Sequence, residues 1–429
     1  MSDKRRIFTC GFLSVVFCAA PVAPALSSPK LFSVGGNVRF LATHSSYTEL
    51  KPLFPDSQTF LRSSFRLTIA GRPSPSVGYD IHVVPYADYD SEPESGLFKP
   101  RIGNPRYHVG PPLRTWSRGS WGAGLRLDRF NIRIALPGAD LTVGRQAITF
   151  GHAFFWNPLD VFAPFRLLDF DREYKEGVDA VRLDVPTGRF SGLNLIAALG
   201  REIVFSPDFR EISARGGVSR YGSALLARYS TICQGWEMSF QAGKVYGGFQ
   251  LGAGAAGEAG SFDMRMEAAY FIADKTRRRP LPDPLANDLL EDHVTAVLGL
   301  SWRFPYELDL AVEYFYNGAA RAKYIESALL RVVHGSNLQM STQLLGAVFR
   351  YPVLPIASAR LAWILSIPDH SFLVHPHVAL SLTDEMDLYL GGTWGFGDGP
   401  FLYQQQYPLL RSEFGTYPHA LYLLLKVYF

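Results

Sequence analysis

Apolar and polar residues alternate along much of this chain. The last eleven residues, HALYLLLKVYF, put Leu421, Leu423, Leu425, Val427 and Phe429 on one face. Ala420, Tyr422, Leu424, Lys426 and Tyr428 fall on the other. In ELDLAVEYFYN, Leu308, Leu310, Val312, Tyr314 and Tyr316 oppose Glu307, Asp309, Glu313 and Asn317. LRSSFRLTI sets Leu61, Phe65, Leu67 and Ile69 against Arg62, Ser64, Arg66 and Thr68, and MDLYLGGTWGF repeats the arrangement. A period of two is that of a β-strand. Many runs reach about ten to thirteen residues, the length a tilted membrane-crossing strand needs, whereas soluble strands average about five or six.

The pattern predicts strands near 31–44, 59–71, 77–88, 122–136, 139–149, 178–187, 190–204, 219–231 and 235–244. It continues near 247–256, 261–273, 291–304, 306–317, 340–351, 355–366, 372–383, 385–397 and 418–429. Short links such as PGAD (137–140), ICQG (232–235) and PVLP (352–355) alternate with long ones at 45–58, 89–121, 150–177, 205–218, 274–290, 318–339 and 398–417. Short turns at one end and long loops at the other are the habit of transmembrane barrels. The alternation requires a tight turn on the long-loop side at Val245–Gly248. The expected fold is therefore all-β: a transmembrane antiparallel β-barrel of about eighteen strands, both termini periplasmic, with sixteen as the alternative. An even count in this range encloses an aqueous channel.

The N-terminus changes the compartment. Lys4, Arg5 and Arg6 precede an apolar stretch from Ile7 to Ala20 and a small-residue site at Ala23-Pro24-Ala25, the layout of a cleaved export signal over residues 1–25. Residues 26–429 are then one barrel. Cys10 and Cys18 leave with the signal, so Cys233 alone remains and no internal disulfide forms. The whole chain carries +3; losing three basic residues and Asp3 leaves +1, which argues against nucleic acid. The chain is 47% hydrophobic and 14% aromatic, yet no apolar run after residue 25 approaches the ~18 residues of a spanning helix.

Few motifs point to chemistry. GAGAAG, Gly252–Gly257, matches a dinucleotide pattern, but no helix follows it, and small residues in a strand explain it. His375 and His377 share a strand face and could share a metal, although no third ligand is near; lumen lining is the simpler reading. DYDSEPES, Asp88–Ser95, and KTRRR, Lys275–Arg279, read as solvated external loops, the second facing lipopolysaccharide phosphates. G-x-S-x-G and H-E-x-x-H are both absent, so no catalytic residue, metal or cofactor is assigned.

The predicted lumen is the best functional signal. Inward phase assigns Arg39, Arg62, Arg66, Arg126, Arg133, Arg182, Arg303, Arg350, Arg360 and Lys426 to it, with fewer acids: Asp184, Glu237, Asp263, Glu267, Glu307, Asp309, Glu313 and Asp387. Guanidinium groups lining a pore attract anions and bind carboxylates or hydroxyl-rich solutes. The competing reading is that acids and bases pair across the barrel and fill it. The aromatic run FGHAFFWNPLDVFAPF, Phe150–Phe165, opens the third long loop. Its two prolines bar regular helix or strand across the run. Apolar residues in irregular backbone suit a loop folded into the barrel, as membrane depth permits when a loop is buried in protein. We expect it to narrow the channel through Phe154, Phe155, Trp156 and Phe162. His152 and Asp160 would anchor the loop, the acids Asp169, Asp171, Glu173 and Glu176 would face the basic wall, and Arg172 belongs to the same constriction.

Two resemblances add to this reading. The final strand ending on Phe429 resembles the closing strand of Gram-negative outer-membrane barrels, which implies recognition by the barrel-assembly machinery. Residues 141–186 resemble the alginate-export porins and the uncharacterised porin group near them, through Gly144, Arg145, Gln146, Gly151, Asn157, Pro158, Asp160, Pro164, Arg172, Glu173, Gly177 and Asp179. His152 departs from the acidic residue of many members. The resemblance covers about 45 residues well and implies an eighteen-stranded barrel passing a solute or polysaccharide, with polysaccharide-export partners. Arg145 conflicts locally, because it shares phase with the lipid-facing Leu141 and Val143; either a bulge at Gly144 turns it inward or it sits above the membrane at the outer rim. The function expected is an outer-membrane channel gated by loop 150–177. A closed structural or surface-interaction barrel and a membrane-embedded lipid hydrolase are the alternatives.

Overall fold

The computed structural model describes residues 32–47, 56–93, 106–109, 114–165, 167, 171–205, 212–215, 217–275, 291–320, 339–399, 401–403, 407–409, 411–415 and 417–429. The export signal, Asp169, and parts of the Asp88–Ser95 and Lys275–Arg279 motifs lie outside them. The first strands are β1 Ser33–Ser46, β2 Ser57–Ser74, β3 Val77–Asp90, β4 Arg114–Arg118, β5 Trp121–Leu136, β6 Ala139–Gln146, β7 Val178–Gly188 and β8 Ser191–Ala198. Next come β9 Glu202–Phe205, β10 Ile212–Arg215, β11 Ala224–Cys233, β12 Trp236–Val245, β13 Gly248–Ala259, β14 Phe262–Ala273, β15 His293–Arg303 and β16 Asp309–Asn317. The last are β17 Gln343–Leu354, β18 Ala357–Ser366, β19 Phe372–Thr383, β20 Met386–Phe396, β21 Phe401–Tyr403, β22 Tyr407–Leu409 and β23 His419–Tyr428.

Nineteen of these strands form one sheet. Of the nineteen, β4 pairs only with β5 and extends it as a local hairpin; the other eighteen close into a ring. The closure is antiparallel, from Asn37↔Tyr428 to Ser46↔His419. Phe429 seals the seam: its N–H donates to the Gly36 carbonyl at 3.1 Å, and its own carbonyl accepts from the Gly36 N–H at 3.0 Å. The eighteen-stranded antiparallel barrel expected from alternation is the observed fold. The tight turn at Val245–Gly248 is present as Tyr246–Gly247, with Val245 and Gly248 paired.

Alternation sorts the side chains as the period demands. Leu225, Phe240, Leu251, Tyr270, Leu298, Phe349 and Leu421 are exposed on the outer face, which suits a hydrocarbon surround rather than water. Asn37, Arg66, Gln241, Glu267, Glu313 and His377 are buried on the inner face. Among the described residues, no helix is long and apolar enough to cross a membrane, and Cys233 is free and exposed.

Three local departures have physical causes. The strand expected over 306–317 begins only at Asp309, because Pro305–Glu307 forms a 3₁₀ turn with positive φ at Tyr306 (66°) and Glu307 (60°). The expected strand 190–204 is two elements, since β9 leaves the ring to pair with β10. The expected strand 139–149 stops at Gln146, just past Gly144, whose φ of +115° belongs to a region where L-residues are strained.

Candidate functional site

The described residues of the loop between β6 and β7 (147–165, 167 and 171–177) pack against the inner wall of the barrel on two sides. Its first arm, 150–162, lies against β12–β19. Its second, 171–176, lies on the far side of the ring against β1, β2, β5 and β23.

The aromatic arm is held by burial and by its own backbone. Trp156 is 1% exposed and stacks on Phe315, with centroids 5.3 Å apart and planes 8° apart. Phe155 and Trp156 join Leu344, Ile364, Leu373 and Phe414 in one apolar cluster; Phe154 packs on it and Phe155. Leu159 and Phe162 join a second cluster with Ile148, Ile196 and Leu226. The inner wall is cut to fit. A Cβ on Gly252 or Gly254 would lie 2.4 or 2.9 Å from Leu159, and one on Gly346 would lie 2.7 Å from the Phe155 ring. Gly252 and Gly254 of GAGAAG therefore make room for the loop.

Irregular backbone buried in protein needs partners for its amides. Two wall carboxylates supply them. Glu267 accepts from the N–H groups of His152 and Ala153, and Glu313 from those of Phe154 and Phe155 (Phe155 at 2.7 Å). Gln241 donates to the Leu159 carbonyl at 3.0 Å and Gln250 to the Pro158 carbonyl at 3.1 Å. Within the loop, the Asn157 side chain accepts from the Ala153 N–H at 3.0 Å. The His152 ring is buried, 3.8 Å from Glu237. The phase of Glu267 and Glu313 was legible as inward, but their role was not, since it depends on the path of a loop that strand periodicity does not describe.

The charged arm is held by side chains. Asp171 meets Arg39 at 2.5 Å and Lys426 at 2.8 Å. Glu173 meets Arg39 and Lys426, each at 2.9 Å, and accepts from the Tyr428 hydroxyl at 3.0 Å. Burial would raise the Asp171 carboxyl, but Arg39 and Lys426 together hold it below the ordinary carboxylate range. Arg66 lies 3.9 Å and Arg39 5.0 Å from the Tyr174 ring centroid. Glu176 lies 3.6 Å from Arg126. Two contacts tie the arms together: Arg172 donates to the Phe154 carbonyl at 2.5 Å, and Lys175 pairs with Asp160 where both are buried. Lys175 was not singled out in the sequence, and neither were Asp128 and Arg129. Asp128 sits beside a register shift between β3 and β5 and accepts from Arg66 at 2.5 Å; Arg129 donates to the Lys175 carbonyl.

Among the described residues, a carboxylate partner is seen for these inward cations. Besides Arg39, Arg66, Arg126 and Lys426, Arg62 is bidentate with Asp88 (2.7 and 2.8 Å), Arg182 pairs with Asp184 (2.7 Å) and Arg303 with Asp309 (2.8 Å). Arg303 is half-exposed near the short-turn end. Arg133 is exposed. Arg350 and Arg360 face each other directly across β17 and β18, and Arg360 faces His377. A pocket of about 190 Å³ opens beside the charged arm, lined by Asn37, Arg39, Arg62, Arg66, Arg126 and Asp171 among others.

The conflict at Arg145 resolves through burial and pairing. Arg145 is buried and binds Asp179 bidentately, both bonds 2.7 Å, and donates to the Leu127 carbonyl at 2.8 Å. The ladder keeps its register here, so the bulge that would turn Arg145 inward is absent: Arg145 stays opposite Phe130 and Asp179, Asp179 is bound in turn by Tyr107 and Val109, and Gly144 takes a positive φ with no inserted residue. A Cβ there would lie 2.2 Å from the Phe130 carbonyl. Gln146 beside it donates to the Ala180 carbonyl at 3.1 Å. His375 and His377 hydrogen-bond Thr393 and Tyr422 (2.9 and 2.7 Å), and no group of three metal-ligating side chains occurs among the described residues.

No family model matches the chain, and no curated protein matches it. Solved structures do. OccK11 (OpdR) of Pseudomonas aeruginosa aligns at 10% identity over 93% of this chain and 96% of its own, with a TM-score of 0.55. OccAB3 of Acinetobacter baumannii aligns at 10% identity over 93% and 99%, with a TM-score of 0.56. OccK2 (OpdF) of Pseudomonas aeruginosa, solved in complex with glucuronate, aligns at 9% identity over 92% and 97%, with a TM-score of 0.54. The chain thus shares the eighteen-stranded fold of the Occ/Opd outer-membrane porins along nearly its whole length.

Proposed function

We propose that this protein is an outer-membrane channel for small hydrophilic anions, carboxylates foremost, with loop 147–177 setting its width. The observation that carries the reading is the pocket beside the charged arm, where Arg39, Arg62, Arg66 and Arg126 converge. Arginine presents a planar fork matched to carboxylates, and field lines concentrate in a narrow low-dielectric passage. The glucuronate in the OccK2 complex supports a carboxylate as the solute class. The exposed apolar belt, the export signal and the terminal Phe429 support placement in the outer membrane. Passage of an exported polysaccharide is the second reading. It rests on the resemblance of residues 141–186 to the alginate-export group, and it needs the aromatic arm to leave its clusters.

The test is reconstitution. In planar bilayers under a salt gradient, the reversal potential is expected to show anion preference, and proteoliposomes are expected to take up glucuronate faster than a neutral sugar of the same size. Arg126→Ala removes a pocket charge whose ion pair, with Glu176, is long at 3.6 Å, and is expected to slow glucuronate uptake about tenfold, the equivalent of one lost charge-assisted hydrogen bond. A barrel that passes no ions even after deletion of residues 150–174 would sink the channel reading.

A further inference from the structure

We infer that Arg39, Lys426 and Tyr428 form a two-carboxylate site at the seam where the last strand meets the first, that Asp171 and Glu173 occupy it as a built-in ligand, and that a short dicarboxylate displaces them and frees the charged arm. The inference rests on the proposed passage of carboxylates, and it adds a specific site and an autoinhibitory occupant to it.

The geometry is that of a ligand site. Three donors on two strands clasp two carboxylates. Lys426 Nζ lies 2.8 Å from Asp171 Oδ1 and 2.9 Å from Glu173 Oε2. Arg39 sends Nη1 to Asp171 Oδ2 (2.5 Å) and Nη2 to Glu173 Oε2 (2.9 Å). Two carboxylates bound to one ammonium stand close enough together for a molecule the size of succinate to replace them.

The same geometry disfavours a vacant site. Arg39 and Lys426 are directly opposed in the β1–β23 ladder, and like charges so placed repel. With the arm in place the Lys426 side chain is only 4% exposed; when the arm leaves, Asp387, opposite Lys426 in the β20–β23 ladder, offsets one of the two positive charges and the other is left without an anion. The arm therefore leaves readily only when another pair of carboxylates arrives. A ligand shifts such an equilibrium by its differential affinity for the two states, and here the difference is built in, because ligand and arm need the same donors. Access is provided from two directions: the Glu173 side chain is 30% exposed, and the solute pocket shares Arg39 and Asp171 with the site. The part freed is residues 171–174: the buried Lys175–Asp160 pair and the anchors of the aromatic arm on the far wall stay in place, and the Arg172–Phe154 contact is given up.

Hydrogen exchange followed by mass spectrometry on the full barrel in detergent tests this without relying on flux. Residues 171–174 are expected to exchange about tenfold faster in the double variant Asp171→Asn/Glu173→Gln than in the native chain, while 150–162 is unchanged. Succinate, compared with chloride at equal ionic strength, is expected to speed exchange of 171–174 in the native chain and to have no effect in the double variant. Equal exchange in succinate and chloride would overturn the inference. So would a double variant whose loop exchanges as before but whose barrel loses its resistance to unfolding by dodecyl sulfate, because the contacts would then only staple the seam. A barrel that answers succinate in exchange yet passes no glucuronate keeps the site and discards the channel.

Discussion

The two arms of loop 147–177 solve the same problem by opposite means. Each must hold irregular backbone inside a barrel. The aromatic arm does so with rings in fitted hollows and with buried carboxylates that accept its amides. The charged arm does so with side-chain ion pairs that keep partial contact with solvent. Burial is non-directional and has no competitor in solution. An ion pair can be exchanged for another of the same sign, and salt weakens it where it is exposed. One arm is thus a fixture and the other a removable contact, within a single loop.

The comparison breaks most severely if the fixture is removed. Trp156→Ala deletes a ring buried against Phe315, and is expected to lower the opening free energy of the aromatic arm by about 3–5 kcal/mol. Native-state hydrogen exchange of 150–162 reads this directly, and 171–176 should change far less. A loss spread equally over both arms would mean that the loop is a single cooperative unit and the contrast is false.

The buried Lys175–Asp160 pair joins the arms and gives the next effect. Lys175→Met strands the Asp160 carboxylate in the interior and is expected to cost about 3 kcal/mol, near the lower end for a broken buried pair. Asp160→Leu/Lys175→Met removes both charges and should recover most of that loss. If the single and double variants exchange alike, the pair is not a buried cross-link.

The barrel was legible because its physics is periodic. One face of each strand meets hydrocarbon and the other the lumen, so Leu421 and Lys426 declare their sides in the sequence itself. The tight turn at Tyr246–Gly247 was legible for the same reason, since parity required it. The site was legible only in part. The inward phase of Arg39 and Lys426 follows from alternation, and the aromatic run of the loop marks it as buried. Which acid meets which base does not follow, because Asp171 reaches Arg39 across more than a hundred residues of sequence. Asp128 and Arg129 were hidden by a register shift, which alternation alone does not reveal. Glu267 and Glu313 looked like pore acids and serve as amide acceptors, a role set by the path of the loop.

The smallest effect concerns what covers the fixture. Phe414, on the loop between β20 and β23, packs in the cluster of Phe155 and Trp156. Beside it, Glu413 accepts from the N–H groups of Met340 (2.8 Å) and Ser341 (2.6 Å). Burial pushes the Glu413 carboxyl up from 4.5 to about 8. A raised acid binds its proton more tightly when the loop is closed than when it is open. Closure is therefore fully favoured below about 4.5 and weakens as pH rises towards about 8, beyond which it levels off. Limited proteolysis of residues 411–415 should accelerate across that window in the native chain relative to Glu413→Gln, whose rate removes the protease's own pH dependence. The charged arm should show no such trend, because Asp171 is held ionised throughout the window. A native-to-variant ratio that stays flat would mean that Glu413 is ionised in the closed loop, and that the cover, like the charged arm, is held by charge.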